Sequence, residues 1–114
     1  MRQLWGAALA AGLCVGAGGW AAAVEVADLP EGDLAAGGAR YAENCVNCHG
    51  RTGRGMASFP SLQGREAAYI ADRLLSYRAR EMVGANSALM FSLSDELSDQ
   101  QIADLAAFIA TEFP

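Results

Sequence analysis

The sequence predicts an all-α fold with about three main helices. Apolar residues recur at helical spacing in three separate stretches of the 114-residue chain, and no stretch alternates apolar and polar residues as a strand does. The helices are predicted at roughly 34–47, at 66–81 and from Asp99 to near the C-terminus. Glycine-rich or irregular segments separate them. A chain of this length corresponds to one small domain.

The N-terminal residues have the composition of an export signal. A positive charge at Arg2 precedes an apolar run over 4–15, and small alanines follow at 21–23. We therefore predict a signal peptide over 1–23 that is cleaved at its end. An uncleaved anchor is the alternative, because residues 3–24 carry no charge and are long enough to span a bilayer.

Residues 24–32 are predicted to form a short leader, and the domain proper is predicted over 33–114. Asp33 is a suitable N-cap for the first helix. Glycine inside a helix costs stability relative to alanine, so Gly37 is expected where a second helix approaches closely. Four residues of this helix share one face: Leu34, Gly37, Tyr41 and Cys45.

The segment Cys45-Val46-Asn47-Cys48-His49 carries the strongest chemical signal in the chain. The spacing C-x-x-C-H is typical of covalent haem c attachment. Two thiols one helical turn apart can each form a thioether with a haem vinyl group, and the following histidine can ligate the iron. The motif occurs once, so we predict one haem c. Cys45 and Cys48 are the predicted attachment points and His49 is the predicted proximal iron ligand.

Other uses of paired cysteines fit the sequence less well. A structural zinc site needs four ligands, but His49 is the only histidine and there is no second C-x-x-C. A thioredoxin-like dithiol needs a βαβ context, and no strand pattern flanks the motif. A disulfide across two residues would be strained. Cys14 belongs to the apolar N-terminal run and is expected to be lost with it.

The other two helices are marked by apolar stripes and by a cap. The second helix has a stripe made of Ile70, Leu74 and Tyr77 and is expected to end before Gly84. Its flanking charges are expected to form a solvated face: Asp72, Arg73, Arg78 and Arg80. The last helix begins with an S-x-x-Q capping box at Ser98. Between the first two helices, a flexible turn is predicted at Gly50, Gly53 and Gly55.

In this order, these pieces resemble class I c-type cytochromes of the small bacterial monohaem kind. The likeness extends over about residues 34–112 and includes the segment 59–62, which is similar to the family's loop below the haem. The resemblance implies a cytochrome c fold, in which about three main helices wrap around one covalently bound haem. It also implies that the first and last helices cross through contacts of Gly37 and Tyr41 with Leu105 and Phe108.

The resemblance implies roles for residues around the haem. The carbonyl of Pro60 is expected to accept the Nδ1 proton of His49, which would fix the tautomer of the iron ligand. Phe59, Leu62 and Tyr41 are expected to contribute to the haem pocket.

A methionine is the distal iron ligand that the resemblance implies. Met90, seven residues before Leu97 in an irregular stretch, is the predicted ligand. Met82, at the end of the second helix, is the alternative. Met56 follows His49 too closely to be expected on the opposite face. Ligation by histidine and methionine raises the reduction potential.

The function that the resemblance implies is that of an electron carrier, not an enzyme. Such a cytochrome shuttles single electrons between redox proteins and takes no small-molecule substrate. One alternative is a haem c subunit of a periplasmic dehydrogenase or oxidase complex. Another is a haem enzyme or gas sensor with an open distal site.

The net charge and the predicted export signal limit where the protein acts and which partners it can bind. The net charge is −5, there is no lysine, and no basic stripe is available to neutralise phosphates, so nucleic acid is not expected. An acidic carrier is expected to meet redox partners through a basic docking patch on the partner. The export signal predicts a periplasmic protein, with membrane association only if the N-terminal segment is retained.

Overall fold

The computed structural model describes residues 23–114, together with Gly12. The predicted signal peptide therefore lies almost entirely outside the described residues. Within them there are helices and no strand: a 3₁₀ turn at Val26–Asp28, then α1 Leu34–Asn44, α2 Val46–His49, α3 Ala67–Arg78, α4 Ser87–Ser94 and α5 Asp99–Glu112. The all-α prediction is confirmed. No helix in the described ranges is both long enough and apolar enough to cross a bilayer.

Helices α1 and α5 pack against each other as expected. A β-carbon at Gly37 would lie 2.1 Å from the carbonyl oxygen of Asp104, so only glycine allows this approach. One turn later, the ring centroids of Tyr41 and Phe108 are 5.6 Å apart. Asp33 caps α1, and its side chain accepts from the backbone nitrogen of Ala36 at 2.8 Å. The expected crossing of the first and last helices is confirmed.

The first predicted helix is divided in two at Cys45. Its φ angle of −114° takes the backbone out of regular helical geometry, and α1 ends at Asn44. A separate short helix, α2, then starts at Val46 and carries the motif histidine. The backbone nitrogen of His49 donates to the carbonyl of Cys45 at 3.0 Å, so the motif is wound as its own turn.

The second predicted helix ends earlier than expected. Helix α3 stops at Arg78, because Arg80 adopts a left-handed backbone with φ of 59°. The backbone nitrogens of Arg80 and Glu81 donate back to the carbonyls of Tyr77 and Ser76, both at 2.9 Å, in a Schellman arrangement. Gly84 is therefore not the helix stop, and Met82 lies beyond the helix instead of at its end.

Helix α4 was not predicted, because residues 88–91 were expected to be irregular. The hydroxyl of Ser87 accepts from the backbone nitrogens of Val83 and Gly84, both at 2.9 Å, and this organises the turn that precedes the helix. The segment is apolar on nearly every side, so it shows no helical period in the sequence. Its packing against α3 is what makes this helix stable.

The segment 24–32 is packed against the domain. Val26 and Leu29 contact the core, and Gln100 donates to the carbonyl of Glu31 at 2.8 Å. The main buried residues come from α1, α3 and α5 and from the residues next to α5: Tyr41, Ile70, Ala71, Leu74, Leu97, Ile102, Leu105, Ala106, Ile109 and Phe113. The division of the domain at residue 33 stays a prediction.

Candidate functional site

A cavity of about 480 Å³ lies among the helices and the loop that follows the cysteine motif. Its walls include apolar side chains from three helices: Ile70 and Leu74 of α3, Leu89 and Leu93 of α4, and Leu105 and Ile109 of α5. Asn86, next to α4, donates to the carbonyl of Ser58 at 3.4 Å and joins the helix to the loop. The volume lies in the range of about 300–1,000 Å³ that is usual for ligand and cofactor sites.

The C-x-x-C-H motif forms part of the cavity wall. Cys45, Cys48 and His49 all line it, and both cysteines are free thiols. In the described part of the chain, no three His, Cys, Asp or Glu side chains converge as a metal site would require. The motif thus presents two thiols and an imidazole to one cavity without forming a zinc cage.

The thiol of Cys45 has a pKa well above its ordinary value. Burial raises the pKa of Cys45 to about 11, a rise that Cys48 reinforces and the nearby guanidinium of Arg40 opposes. This shift disfavours the thiolate of Cys45, the form through which thiol–disulfide exchange proceeds.

The imidazole of His49 is held by the loop. It is 8% exposed, and its Nδ1 lies 2.9 Å from the carbonyl oxygen of Pro60. A carbonyl only accepts, so Nδ1 carries the proton and Nε2 keeps a free lone pair for a metal. This is the hydrogen bond that the resemblance implied.

The glycines after His49 build this loop. Gly55 has a φ of 78°, and a β-carbon there would lie 2.3 Å from the carbonyl oxygen of Phe59. Its backbone nitrogen donates to the carbonyl of His49 at 2.8 Å, and Leu62 donates to Gly53 at 2.6 Å. These hydrogen bonds close the loop and place Pro60 against the imidazole, while the predicted flexibility of the turn stays a prediction.

The predicted pocket residues divide into two groups. Phe59, Pro60 and Leu62 line the cavity, whereas Tyr41 does not. The hydroxyl of Tyr41 donates to the carbonyl of Gly50 at 2.6 Å, and its ring packs against α5. Burial raises the pKa of Tyr41 to about 12, with a smaller contribution from Cys45. The placement of Tyr41 in the pocket is corrected, because the close approach at Gly37 draws this face of α1 to α5.

The three methionines that the structure describes occupy different environments. Met90 is half-buried in α4 and lines the cavity. Met82 is 61% exposed, Met56 is 51% exposed, and neither lines the cavity. Only Met90 thus shares the cavity with His49.

Sequence reasoning missed the arginines at the cavity. Arg40, Arg65 and Arg73 line it, together with Tyr69. Arg73 was expected on a solvated face, and the helical period alone does not show that this face borders a cavity. The other flanking arginines are paired, Arg78 with Asp99 at 2.7 Å and Arg80 with Asp95.

The cavity suits a large cofactor with an apolar body. Ser94 also lines it, fully buried, and its hydroxyl has no hydrogen-bond partner among the described residues. A buried hydroxyl without a partner costs about 1–3 kcal/mol, so a polar group in the cavity would relieve that cost. Two thiols, an imidazole with a free Nε2 and a thioether are the donors that haem c requires. The residues present therefore fit this group.

Comparison with known proteins identifies the family. The family model for cytochrome c matches residues 34–112. The chain belongs to the cytochrome c family. A cytochrome c-554(548) from Halomonas halodenitrificans is 40% identical over 82 residues, which cover 71% of this chain and 98% of that protein. A cytochrome c-553 from Desulfomicrobium norvegicum is 34% identical over 80 residues, with 70% and 98% covered.

A solved cytochrome c4 structure from Acidithiobacillus ferrooxidans shares the fold. The TM-score is 0.59 at 23% identity, covering 76% of this chain and 54% of that chain. The expected cytochrome c fold is confirmed. This member of the cytochrome c family is an electron-transfer protein with covalently bound haem c, and it acts as a carrier rather than an enzyme.

Proposed function

We propose that this carrier binds one haem through Cys45 and Cys48, with His49 and Met90 as the two axial ligands of the iron. The observation that carries the proposal is the shared cavity. Of the methionines in residues 23–114, only Met90 lines the cavity that also contains both cysteines and His49. Met82, the alternative ligand, would have to leave its exposed position to reach it.

Each part of the site has a task in electron transfer. Bound there, the haem iron supplies a one-electron couple between Fe(III) and Fe(II). Pro60 holds the ring of His49 by accepting a hydrogen bond from its Nδ1, which would leave Nε2 to bind the iron. The thioether of Met90 favours a higher potential. With His49 and Met90 both holding the iron, no coordination position would be left for a substrate.

The apolar walls are suited to rapid electron transfer. Ile70, Leu74, Leu105 and Ile109 come from helices that are anchored in the main core. A close-packed wall moves little and excludes water, so the surroundings need little rearrangement when the charge on the iron changes. These residues supply burial and orientation, while the redox chemistry belongs to the cofactor.

We also propose export and maturation outside the cytoplasm. Bacterial c-type cytochromes are typically periplasmic. The composition of residues 1–23 supports their removal as a signal peptide, which would leave the described domain as the mature protein. Membrane association would follow only if that segment were retained.

Redox proteins are the partners of this carrier. A basic docking patch on those partners is the proposal that the net charge of −5 supports.

Intact mass and absorption spectroscopy test the proposal on protein exported by a host that attaches haem c. We expect the mass of residues 24–114 plus one haem and a weak far-red band in the oxidised protein, as methionine ligation produces. Retention of residues 1–23 would refute cleavage. A haem protein without the far-red band would refute methionine ligation and support an open distal site.

A further inference from the structure

Ser94, the last residue of α4, has a buried hydroxyl that makes no hydrogen bond to the rest of the described chain. The residue is 0% exposed, and its Oγ is the one buried side-chain nitrogen or oxygen atom of residues 23–114 that lacks a partner. A helical serine can donate to the carbonyl four residues earlier, but Ser94 does not do so. Because Ser94 lines the cavity, its hydroxyl is available to a group that enters there.

The backbone around Ser94 is fixed by hydrogen bonds from two sides. The backbone nitrogen of Leu97 donates to the Ser94 carbonyl at 3.1 Å, and the guanidinium of Arg78 donates to the Leu97 carbonyl at 3.0 Å. The same guanidinium pairs with Asp99 at 2.7 Å. Since Arg78 belongs to α3 and Asp99 begins α5, the end of α4 is tied to both neighbouring helices. The fold therefore sets the position of Ser94, and an acceptor has to come to it.

Met90 supplies such an acceptor on the same face of α4. Side chains four residues apart lie one above the other on a helix, and both Met90 and Ser94 line the cavity. The thioether of methionine is a weak hydrogen-bond acceptor on a flexible, unbranched side chain. The sulfur of Met90 can thus turn towards the hydroxyl of Ser94 when the side chain binds the iron.

The carboxylates of a bound haem are less suitable acceptors for this hydroxyl. An ionised carboxylate is costly to bury, and Ser94 lies at a position without solvent contact. Arg40, Arg65 and Arg73 also line the cavity, and guanidinium groups form charge-assisted hydrogen bonds with carboxylates. A neutral thioether therefore matches the environment of Ser94 better than a charged group does.

We propose that, in the haem-loaded protein, the hydroxyl of Ser94 donates a hydrogen bond to the sulfur of Met90 and thereby weakens the bond from this sulfur to Fe(III). The proposal rests on the proposed ligation by Met90 and assigns a positioning residue to it. A hydrogen bond draws electron density from the sulfur, so the thioether donates less to the iron. Fe(III) depends on this donation more than Fe(II) does, so the hydrogen bond raises the reduction potential.

The variant S94A tests the proposal, with S92A as its matched control. Both remove one hydroxyl from α4, but Ser92 is exposed and does not line the cavity. Redox titration of the S94A holoprotein should give an equilibrium constant for reduction about threefold smaller than that of the wild type, which is roughly 30 mV for one electron. S92A should match the wild type.

Imidazole binding to the oxidised holoprotein gives a second measurement, because imidazole has to displace Met90 from Fe(III). Without the hydrogen bond the sulfur binds Fe(III) more strongly, so S94A should bind imidazole about threefold more weakly while it keeps the far-red band. Loosened packing around Met90 would have the opposite effect on imidazole binding. The two measurements together thus separate the hydrogen bond from a merely structural role.

Several outcomes would overturn the proposal, and each has a distinct signature. Unchanged potential and imidazole affinity in S94A would show that the hydroxyl does not act on Met90. Stronger imidazole binding would assign Ser94 to packing alone. A shift in potential that varies with pH would assign the hydroxyl to a haem carboxylate. If the wild type itself lacks the far-red band, ligation by Met90 fails, and the role of Ser94 fails with it.

Discussion

At the scale of single residues, Met90 is the side chain on which the distal half of the site depends. It lines the cavity, whereas Met82 is 61% exposed outside it. We expect Met90→Ala to abolish the far-red band of the oxidised protein and to lower the reduction potential, because the thioether ligand is lost. Absorption spectra and redox titration measure both effects. Met82→Ala is the matched control, and loss of the band in that variant instead would transfer the assignment to Met82.

Tyr41 gives a pH dependence whose sign follows from its burial. Burial raises the pKa of Tyr41 from 10.0 to about 12. Between these values the unfolded chain loses the phenol proton while the folded protein keeps it. The free energy of unfolding therefore falls as pH rises from 10 to 12, by up to about 1.4 kcal/mol per pH unit for one group. Below pH 10 the phenol of Tyr41 is protonated in both the folded and the unfolded state. Its contribution to the free energy of unfolding therefore does not change with pH there.

The variant Tyr41→Phe isolates that effect. It loses the 2.6 Å hydrogen bond to the carbonyl of Gly50, which should cost about 1 kcal/mol at neutral pH. Denaturant unfolding of both holoproteins from about pH 8 to about pH 12 should show a constant difference below pH 10, which narrows and then reverses in sign above it. A difference that stays constant over this range would contradict the burial argument.

At the scale of elements, the crossing of α1 and α5 depends on Gly37. A β-carbon there would lie 2.1 Å from a backbone oxygen of Asp104, which cannot move without shifting α5. We expect Gly37→Ala to destabilise the holoprotein by about 3 kcal/mol, at the upper end for overpacking, as measured by denaturant unfolding. In Gly38→Ala the new atom meets only the ring of Phe108, at 2.9 Å. That ring can turn away, so equal losses in the two variants would contradict the close-approach explanation.

The helices also show which structural features sequence patterns are sufficient to predict. Asp33 and Ser98 were recognisable as caps, because a capping side chain acts on backbone groups within three residues. Helix α4 was missed, because an apolar segment without helical period acquires its structure from packing. The end of α3 was missed as well, since a left-handed arginine at position 80 is not a usual stop signal.

At the scale of the whole molecule, the haem is expected to be necessary for folding. Without the cofactor the core contains a cavity of about 480 Å³. Without haem the apolar walls of that cavity face water, and the whole stability of a small domain is only about 5–15 kcal/mol, so the loss of this burial is severe. We expect a Cys45→Ala/Cys48→Ala chain, in which haem is not attached, to show no cooperative thermal transition by circular dichroism. The haem-loaded wild type is the control, and a cooperative transition in the haem-free variant would contradict the expectation.

The sequence by itself determined the all-α class, the haem c motif and a close helix approach at Gly37. The helical periods and the haem c motif are short spacings that can be read directly along the chain. At Gly37 the close approach of another helix leaves room for glycine alone. The resemblance to class I c-type cytochromes implied the pairing of Gly37 with the last helix and the roles of Pro60 and Met90, and the structure places Pro60 and Met90 at the cavity with His49.

Only the tertiary structure decided which of the remaining residues face that cavity. It placed Tyr41 outside the cavity and brought Arg40, Arg65 and Arg73 to the site. Net charge is a sum over the chain and carries no direction, whereas the field near a site depends on which side chains the fold places there. For this reason an acidic sequence has a cavity whose charged residues are all basic.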